Sequence, residues 1–440
     1  MIASGRVAYL ARRGPKDYGV NINGNGENGE KRGNVDMRIV RERKRAIVDS
    51  FRGGSERRVE GAGVKVLNGR AEFVGEKVVK VFLNDGGEEE VTSELVFINT
   101  GERPSRPALQ GIETLDKKVV LDSTSVMELD EVPRHLVVIG GGYIALEFGQ
   151  LFRRLGAEVT IIQRGARLAP RADPEISEEL KKILEEDGIH IHLQSSGTKV
   201  SSEGSELTIE MQKKGSDTTE SIQGTHILCA VGRTPNTDSL NLPAAGIKTD
   251  ATGHIVTNTK LETSVPGIYA LGDVKGGPAF THVSYDDFRI IRDTLIQPAT
   301  SSPSNSQEQQ QPKKTSYEDR YKTLPYVVFT DPQLGHVGLT HAEALSKYPS
   351  RHIQTAKMPM SYVARALEMD ETRGMMKAVV DGDSGEILGF TCLGIEGGEL
   401  MNVVQMAMMG GVKWWDLREA VFAHPTIGES LNNLWGFLED

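Results

Sequence analysis

The stretch "HLVVIGGGYIALEFGQLFRRLGAEVTIIQR", residues 135–164, constrains the fold more than any other. It opens on a short apolar run, passes through three consecutive glycines and enters an amphipathic helix, "YIALEFGQLFRRLG". A second apolar run, "AEVTIIQR", follows. Strand, helix and strand of these lengths make a βαβ unit, the building block of a parallel sheet with crossover helices. Between the first strand and the helix stands Gly140-x-Gly142-x-x-Ala145. Gly140 permits a tight turn, Gly142 lets the backbone approach a pyrophosphate, and Ala145 lets the helix pack close to the sheet with its positive end toward the phosphates. In this strand–turn–helix frame the spacing predicts dinucleotide binding. "PEISEELKKILEEDG" and "IHIHL" continue the theme with another helix and strand.

The end of the second strand should face the adenosine ribose. NAD-binding chains usually offer a carboxylate there, about 20 residues beyond the glycines. This chain offers Gln163 and Arg164, followed by Arg167 and Arg171. No acid stands ready for a 2′-hydroxyl, while cations are available for a 2′-phosphate. The pattern favours NADP, with NAD possible.

The flanks are of a different character. Residues 2–13 suit a short helix, and "NINGNGENGEKRGN" is loop by its Gly and Asn content. "VDMRIVRERKRAIVDSF" is a charged helix whose run Arg41–Arg45 fits a solvated face. From Val64 to Leu83, turn signals at Asn68-Gly69 and Gly75 interrupt an alternating pattern, which predicts antiparallel strands. Residues 297–316, "QPATSSPSNSQEQQQPKKTS", are polar and low in complexity, and are expected to form a flexible loop. Beyond them, strands and helices mix in an α+β pattern.

A formal net charge of −10 argues against nucleic acid or an anionic membrane as a partner, since both select a basic face. No window approaches 18 uninterrupted apolar residues, and the N-terminus lacks a secretory apolar core. Cys229 and Cys392 are the only cysteines, far apart and without close-spaced partners. That usage fits a reducing compartment, so the expectation is a soluble, cytoplasmic protein. His190 and His192 share a strand face, but no third ligand is evident, and no metal site is expected.

Near the C-terminus, "AHPTIGES" sets His424 five residues before Glu429. An imidazole moves protons near neutral pH, and a carboxylate can orient it. "HILCAVGRTPNT" puts Gly232 and Arg233 after one apolar strand, and "TSVPGIYALGDV" puts Gly272 and Asp273 after another. Taken in order, the glycine fingerprint, "AVGRTPN", "IYALGDV" and "HPTIGE" resemble the glutathione-reductase class of pyridine nucleotide–disulfide oxidoreductases. The resemblance spans essentially the whole chain. "AFTHVSYDDFRII" and "ARALEMDETRGMMKAVV" are most similar to mercuric-reductase-like enzymes and to the bacterial reductases that respond to reactive chlorine.

That resemblance implies an α/β protein with two Rossmann-like nucleotide-binding domains, an incomplete one for FAD and one for NAD(P), plus a C-terminal α+β dimerisation domain. Residues 1–129 would be the first part of the FAD domain, N-terminally truncated, and 130–250 the NAD(P) domain. Residues 251–296 would complete the FAD domain, 297–319 the flexible loop and 320–440 the dimerisation domain. Asp273, with Gly272 before it, would bind the FAD ribitol, and Arg233, after Gly232, would lie near the flavin nucleotide. Thr100 and Gly101 would match a further FAD-contacting turn. Thr281 and His282 would begin a helix whose positive end faces the flavin. Tyr143 would gate the flavin on the nicotinamide side, and Glu147 would pair with a lysine beside it. His424 and Glu429 would be the acid/base and its orienter, reaching across a homodimer into the partner's site.

The sequence departs from the class in one respect. The class has a first glycine fingerprint for FAD and a Cys-x-x-x-x-Cys pair, and neither is present here. "MIASGRVAYLARR" resembles the segment that follows that motif, with the flavin-side lysine falling just before Met1. Neither Cys229 nor Cys392 matches the redox positions. The expected function is an FAD-dependent NAD(P)H oxidoreductase of the disulfide-reductase type, passing hydride through FAD to a thiol/disulfide or metal-ion acceptor, with this chain impaired by the missing pair. The alternatives are a catalytically inactive NADPH-binding dimer and a thiol-independent flavin reductase.

Overall fold

In a computed structural model, residues 1–13, 35–295, 314–318 and 320–439 are described. The loop expected at 21–34 and nearly all of the low-complexity segment lie outside these residues. The chain packs as two compact units. One holds 1–49, 105–232 and 322–440, and the other holds 50–104 and 233–321.

The first unit contains the βαβ element. Its parallel sheet runs in the order Val120–Leu121, His226–Cys229, His135–Ile139, Glu158–Gln163, His190–Leu193. All five residues of His135–Ile139 are buried, as expected of a central parallel strand covered on both faces. On one face lies the helix Tyr143–Leu155, which buries Ala145, Leu146, Leu151, Phe152 and Leu155. It ends at Gly156, whose φ of 117° is the left-handed cap that an L-residue would strain to adopt. The N-terminal helix Ile2–Arg13 lies against it, so closely that a Cβ on Gly5 would come within 2.7 Å of Leu151 Cδ1. On the other face sits an antiparallel sheet of Ser195–Glu203, Glu206–Lys213 and Thr219–Gly224, joined to the parallel strands by Val137, Ile139, Ile162, Val200 and Ile209.

The same unit carries a six-stranded sheet in the order Pro325–Val328, Gln333–Gly338, Ile387–Gly394, Met375–Asp381, Ile353–Pro359, Leu438–Glu439. The helix Gly397–Met409 buries Leu400, Met401 and Val404 in the apolar cluster of this sheet. Register places Tyr326, His336, Thr391, Lys377 and Lys357 opposite one another, so a polar row crosses five of its strands. Its lysines are met by carboxylates of the nucleotide-type half of the unit. Lys377, 2% exposed, meets Asp173 at 2.9 Å and Glu175 at 3.0 Å. Asp173 is the N-cap residue of the helix Pro174–Glu186, yet its carboxylate makes no cap hydrogen bond. It serves the buried ammonium and accepts from the His341 N–H instead.

The second unit is built on short pairings. Gly69–Gly75, Val78–Leu83 and Glu88–Thr92 form a meander, with Gly69–Gly75 and Val78–Leu83 antiparallel across the turn, as the alternation predicts. Val96–Ile98 runs parallel to Ile268–Ala270, and Glu102–Pro104 pairs with Arg233–Pro235. Phe73, Ile98, Leu242, Ile255, Ile268 and Val274 form its core. The helix Thr281–Leu295 buries Asp287, which receives Arg320 at 2.7 Å and Lys275 at 3.4 Å.

Removing one partner of a buried ion pair strands the other charge, so Lys377→Ala should cost about 3–5 kcal/mol at neutral pH. Burial alone would raise the Glu175 carboxyl, but its own backbone N–H and the Lys377 ammonium bring it below its ordinary value. Its share of stability is therefore present above the unfolded carboxylate pKa of about 4.3 and lost as pH falls through the lower folded value. Denaturant titrations of both proteins should show the gap narrowing in acid.

Candidate functional site

The glycine turn has the shape its spacing predicts. Gly140 adopts φ 121°, and a Cβ there would lie 2.3 Å from the Ala230 carbonyl oxygen. A Cβ on Gly142 would meet nothing within 4 Å. Gly142 is also the N-cap of the helix Tyr143–Leu155 and provides no side-chain cap. The first turn therefore has no side-chain cap, and there is room beside Gly142 at the positive end of the helix, which suits an anion. Ala145 is fully buried. The turn fits a dinucleotide pyrophosphate.

Gln163 closes the next strand, and its side chain lies over the turn. A Cβ on Gly141 would sit 2.8 Å from Gln163 Cγ, and Gln163 Nε2 donates to the Arg167 carbonyl at 3.1 Å. Arg164, Arg167 and Arg171 are exposed. Gly232, at φ 141°, accepts from the Ser105 N–H at 3.0 Å.

Four residues along the helix form a polar stripe that its sequence spells at spacings of four, three and four. Tyr143 stacks on Tyr326, with ring centroids 5.2 Å apart. Glu147 Oε1 accepts from the Phe329 N–H at 2.8 Å. Gln150 accepts from the Asp331 N–H at 2.8 Å and donates to the Asp331 carbonyl at 2.9 Å and to Asp187 at 2.8 Å. Arg154, with a side chain 4% exposed, is held between Asp331 and Asp187. Glu147 lines a cavity of about 230 Å³ with Gln150, Arg6, Phe329 and Glu396. Burial pushes its carboxyl up, and the Phe329 N–H partly offsets this. Among the described residues, the Phe329 N–H is the hydrogen-bond donor to Glu147.

His424 Nδ1 meets Glu429 Oε2 at 2.8 Å and Oε1 at 3.0 Å. The imidazole side chain is 72% exposed and the carboxylate 17%. Glu429 fixes one ring nitrogen and leaves Nε2 for proton exchange.

In the second unit, Glu102 organises the remaining residues. Its carboxylate receives Arg233 Nε at 3.2 Å and His254 Nε2 at 2.9 Å. Arg233 also donates to the Glu102 carbonyl at 2.7 Å. Burial and the nearby Glu102 charge push the Asp273 carboxyl up, against Arg233 and Lys275. Hydroxyl donors of a polyol would relieve that cost. Gly272 donates to Asp287 at 2.9 Å, and a Cβ on it would strike Asn99 Oδ1 and Ser284 Oγ at 2.7 and 2.8 Å. Gly101, at φ 66°, has open space where a Cβ would stand. Thr100 and Asn236 exchange hydrogen bonds of 3.0 and 2.8 Å beside it. Thr281 and His282 are exposed at the start of their helix, with His282 stacked on Phe280. These features fit the sugar and phosphate part of a flavin dinucleotide.

The cysteines are placed for packing. Cys229 and Cys392 are both buried, and burial pushes their thiols up to about 11 and about 12. His190 and His192 line a cleft of about 510 Å³ with His135, Glu158 and Glu220. Among the described residues, no group of three His, Cys, Asp or Glu is arranged to hold a metal ion.

Residues 13–287 match the pyridine nucleotide-disulphide oxidoreductase family, and 324–434 match its dimerisation domain. The chain belongs to that family, flavoprotein enzymes that use FAD and NAD(P)H and pass electrons to a disulfide or metal acceptor. Among its relatives is the probable pyridine nucleotide-disulfide oxidoreductase RclA of Escherichia coli, 34% identical, covering 86% of this chain and 79% of that protein. A mercuric reductase of Staphylococcus aureus is 33% identical, over 91% of this chain and 68% of the relative. A dihydrolipoyl dehydrogenase of Bacillus subtilis is 31% identical, over 90% and 79%. The solved structure of the HOCl-induced flavoprotein disulfide reductase RclA superposes with a TM-score of 0.79 at 32% identity, covering 92% of this chain and 86% of that one. Among the described residues no helix is long and apolar enough to cross a membrane.

Buried thiols held protonated react slowly. A chromogenic disulfide reagent at pH 8 should titrate fewer than roughly 0.1 thiols per native chain within minutes, and both after unfolding. A fast-reacting thiol in the native protein would contradict this placement.

Proposed function

We propose that this chain is an NADPH-preferring, FAD-dependent oxidoreductase that works as a homodimer in the reducing cytoplasm. The observation that carries the reading is the open glycine turn at the uncapped end of the helix Tyr143–Leu155. By function, 130–250 would be the NAD(P) domain, 1–129 with 251–296 the FAD domain, 297–319 the linking loop and 320–440 the dimerisation domain.

Each residue then has a task. Gly140, Gly142 and Ala145 bring the backbone donors of the turn to a pyrophosphate. Gln163 offers no carboxylate to repel a 2′-phosphate, while Arg164, with Arg167 and Arg171 close by in sequence, offers charge-assisted donors. Asp273 accepts from a polyol, Arg233 and Gly232 border the flavin nucleotide, and Thr100, Gly101 and Gly272 keep the backbone close to it. The helix beginning at Thr281 and His282 presents its positive end. FAD, when bound, supplies the hydride-accepting chemistry. Tyr143 covers the nicotinamide side. Glu147 lines the cavity beside the helix Tyr143–Leu155, its carboxyl pushed up by burial.

His424 and Glu429 form an acid/base pair with an exposed imidazole, which is half of a site and suits completion by a second subunit. The helix Gly397–Met409 exposes Val403, Met406 and Met409 at a helical spacing, by 42, 64 and 63%. An apolar stripe of that kind fits a partner surface. The acceptor is a disulfide or a metal ion. A thiol relay made from Cys229 and Cys392 is disfavoured by their burial. That placement favours a second reading, in which these 440 residues bind NADPH and dimerise without turning over disulfides.

Calorimetric titration separates the parts. NADPH should bind more tightly than NADH. Arg164→Ala should weaken NADPH about tenfold, as expected for a lost charge-assisted hydrogen bond, and leave NADH within about twofold. Gly142→Val has room to fold, yet should weaken both dinucleotides by at least about tenfold by blocking the phosphate approach. Equal affinities for the two dinucleotides would remove the NADP preference, and no binding of either would overturn the reading.

A further inference from the structure

We propose that Tyr326 is a positioning residue for the dinucleotide site, acting through Tyr143. The inference rests on the reading of Gly140–Gly142 as a dinucleotide turn, and it names a residue outside that motif. Tyr143 is the first residue of the helix after Gly142. Its ring is turned back onto the six-stranded sheet. The Tyr143 and Tyr326 planes lie within 25° of each other. Tyr326 is itself braced, with its ring 4.9 Å from that of His336.

His336 cannot turn. Its Nε2 lies 3.1 Å from the Gly338 carbonyl, which can only accept, so Nε2 carries the proton. Its Nδ1 therefore accepts from the Thr391 hydroxyl at 2.8 Å. Burial keeps this imidazole neutral and keeps both phenols protonated. Tyr326, His336 and Thr391 face one another across three hydrogen-bonded strands. The result is an aromatic ladder with a rigid base and Tyr143 as its top rung.

A tyrosine at the first position of a helix has few helical neighbours to restrain it. Without a partner it would visit several rotamers, some of them across the open space beside Gly142. A ligand would then bind only the fraction of molecules with the ring out of the way, and its apparent affinity would fall by that fraction. Tyr326 holds Tyr143 in one place before the ligand arrives. The stack sets the plane of the Tyr143 ring.

The test is a double-mutant cycle read as NADPH affinity by calorimetry, with NADPH itself as the probe. Tyr326→Phe keeps the stack and should leave NADPH affinity within about twofold, whereas Tyr326→Leu loses the stack and should weaken it about tenfold. In a Tyr143→Ala background neither substitution should change the affinity further, because the ring to be held is gone. Thermal unfolding midpoints check folding, and Tyr326→Phe should match the wild type within about 2 °C. Affinity unchanged in Tyr326→Leu would overturn the proposal. So would a loss that persists undiminished with Tyr143→Ala, since Tyr326 would then act by some other route. NADPH binding by the wild-type chain, with an unaltered affinity in Tyr326→Leu, defeats this inference alone. A wild-type chain that binds neither dinucleotide defeats the reading beneath it and this inference together.

Discussion

The guanidinium of Arg154 lies almost entirely out of water, and the geometry of the first unit follows from what it needs there. A buried charge is tolerated only with partners on hand. Arg154 finds Asp187 after the helix Pro174–Glu186 and Asp331 in the loop between Pro325–Val328 and Gln333–Gly338. Arg373 adds a second cation to Asp187 at 2.9 Å. Three segments far apart in sequence thus meet at one charge. Gln150, one turn earlier on the helix, uses both ends of its amide on two of the same segments. A helix fixed at this end cannot roll, so Gly142 and Tyr143 at its other end are held at a fixed angle to the six-stranded sheet.

Lys377 repeats the arrangement a short way along. Its ammonium is reached by Asp173 and Glu175 from the start of the next helix. Replacing such pairs with apolar residues of similar size is often neutral or stabilising. Their use here is consistent with orientation rather than raw stability. Apolar faces would let the nucleotide-type sheet and the antiparallel sheet slide, whereas paired charges accept one register. The site depends on that register, because an anion-binding helix end has an effect only within about one turn.

Glu147 and His424 are handled in opposite ways. Glu147 is buried with a backbone donor, and burial pushes its carboxyl up. His424 is left in solvent beside Glu429, with one nitrogen fixed and the other available. A buried carboxyl suits a permanent place beside a cofactor. An exposed, oriented imidazole suits chemistry completed by another surface. The family's dimerisation domain, matched over 324–434, supplies such a surface.

The sequence by itself determined the parallel unit at 135–193, the glycine turn and its missing carboxylate, the His424–Glu429 pair and the family. These are local signals, in which spacing of a few residues sets backbone shape or brings two side chains within reach. The stripe Tyr143, Glu147, Gln150, Arg154 was equally legible as polar positions on one face of an apolar helix. Its purpose was not, since each partner comes from a segment more than 30 positions away and periodicity carries no information about what a face will meet. Lys377 is the sharpest case. In sequence it is one lysine among many, in a strand that alternation would turn to solvent or core with equal ease. Only the register of five strands set it opposite Thr391 and Lys357, and only the packing of a helix start over that row supplied Asp173 and Glu175. Long-range pairing is decided by which surfaces can be buried together without leaving a charge alone, and that is a property of the folded whole.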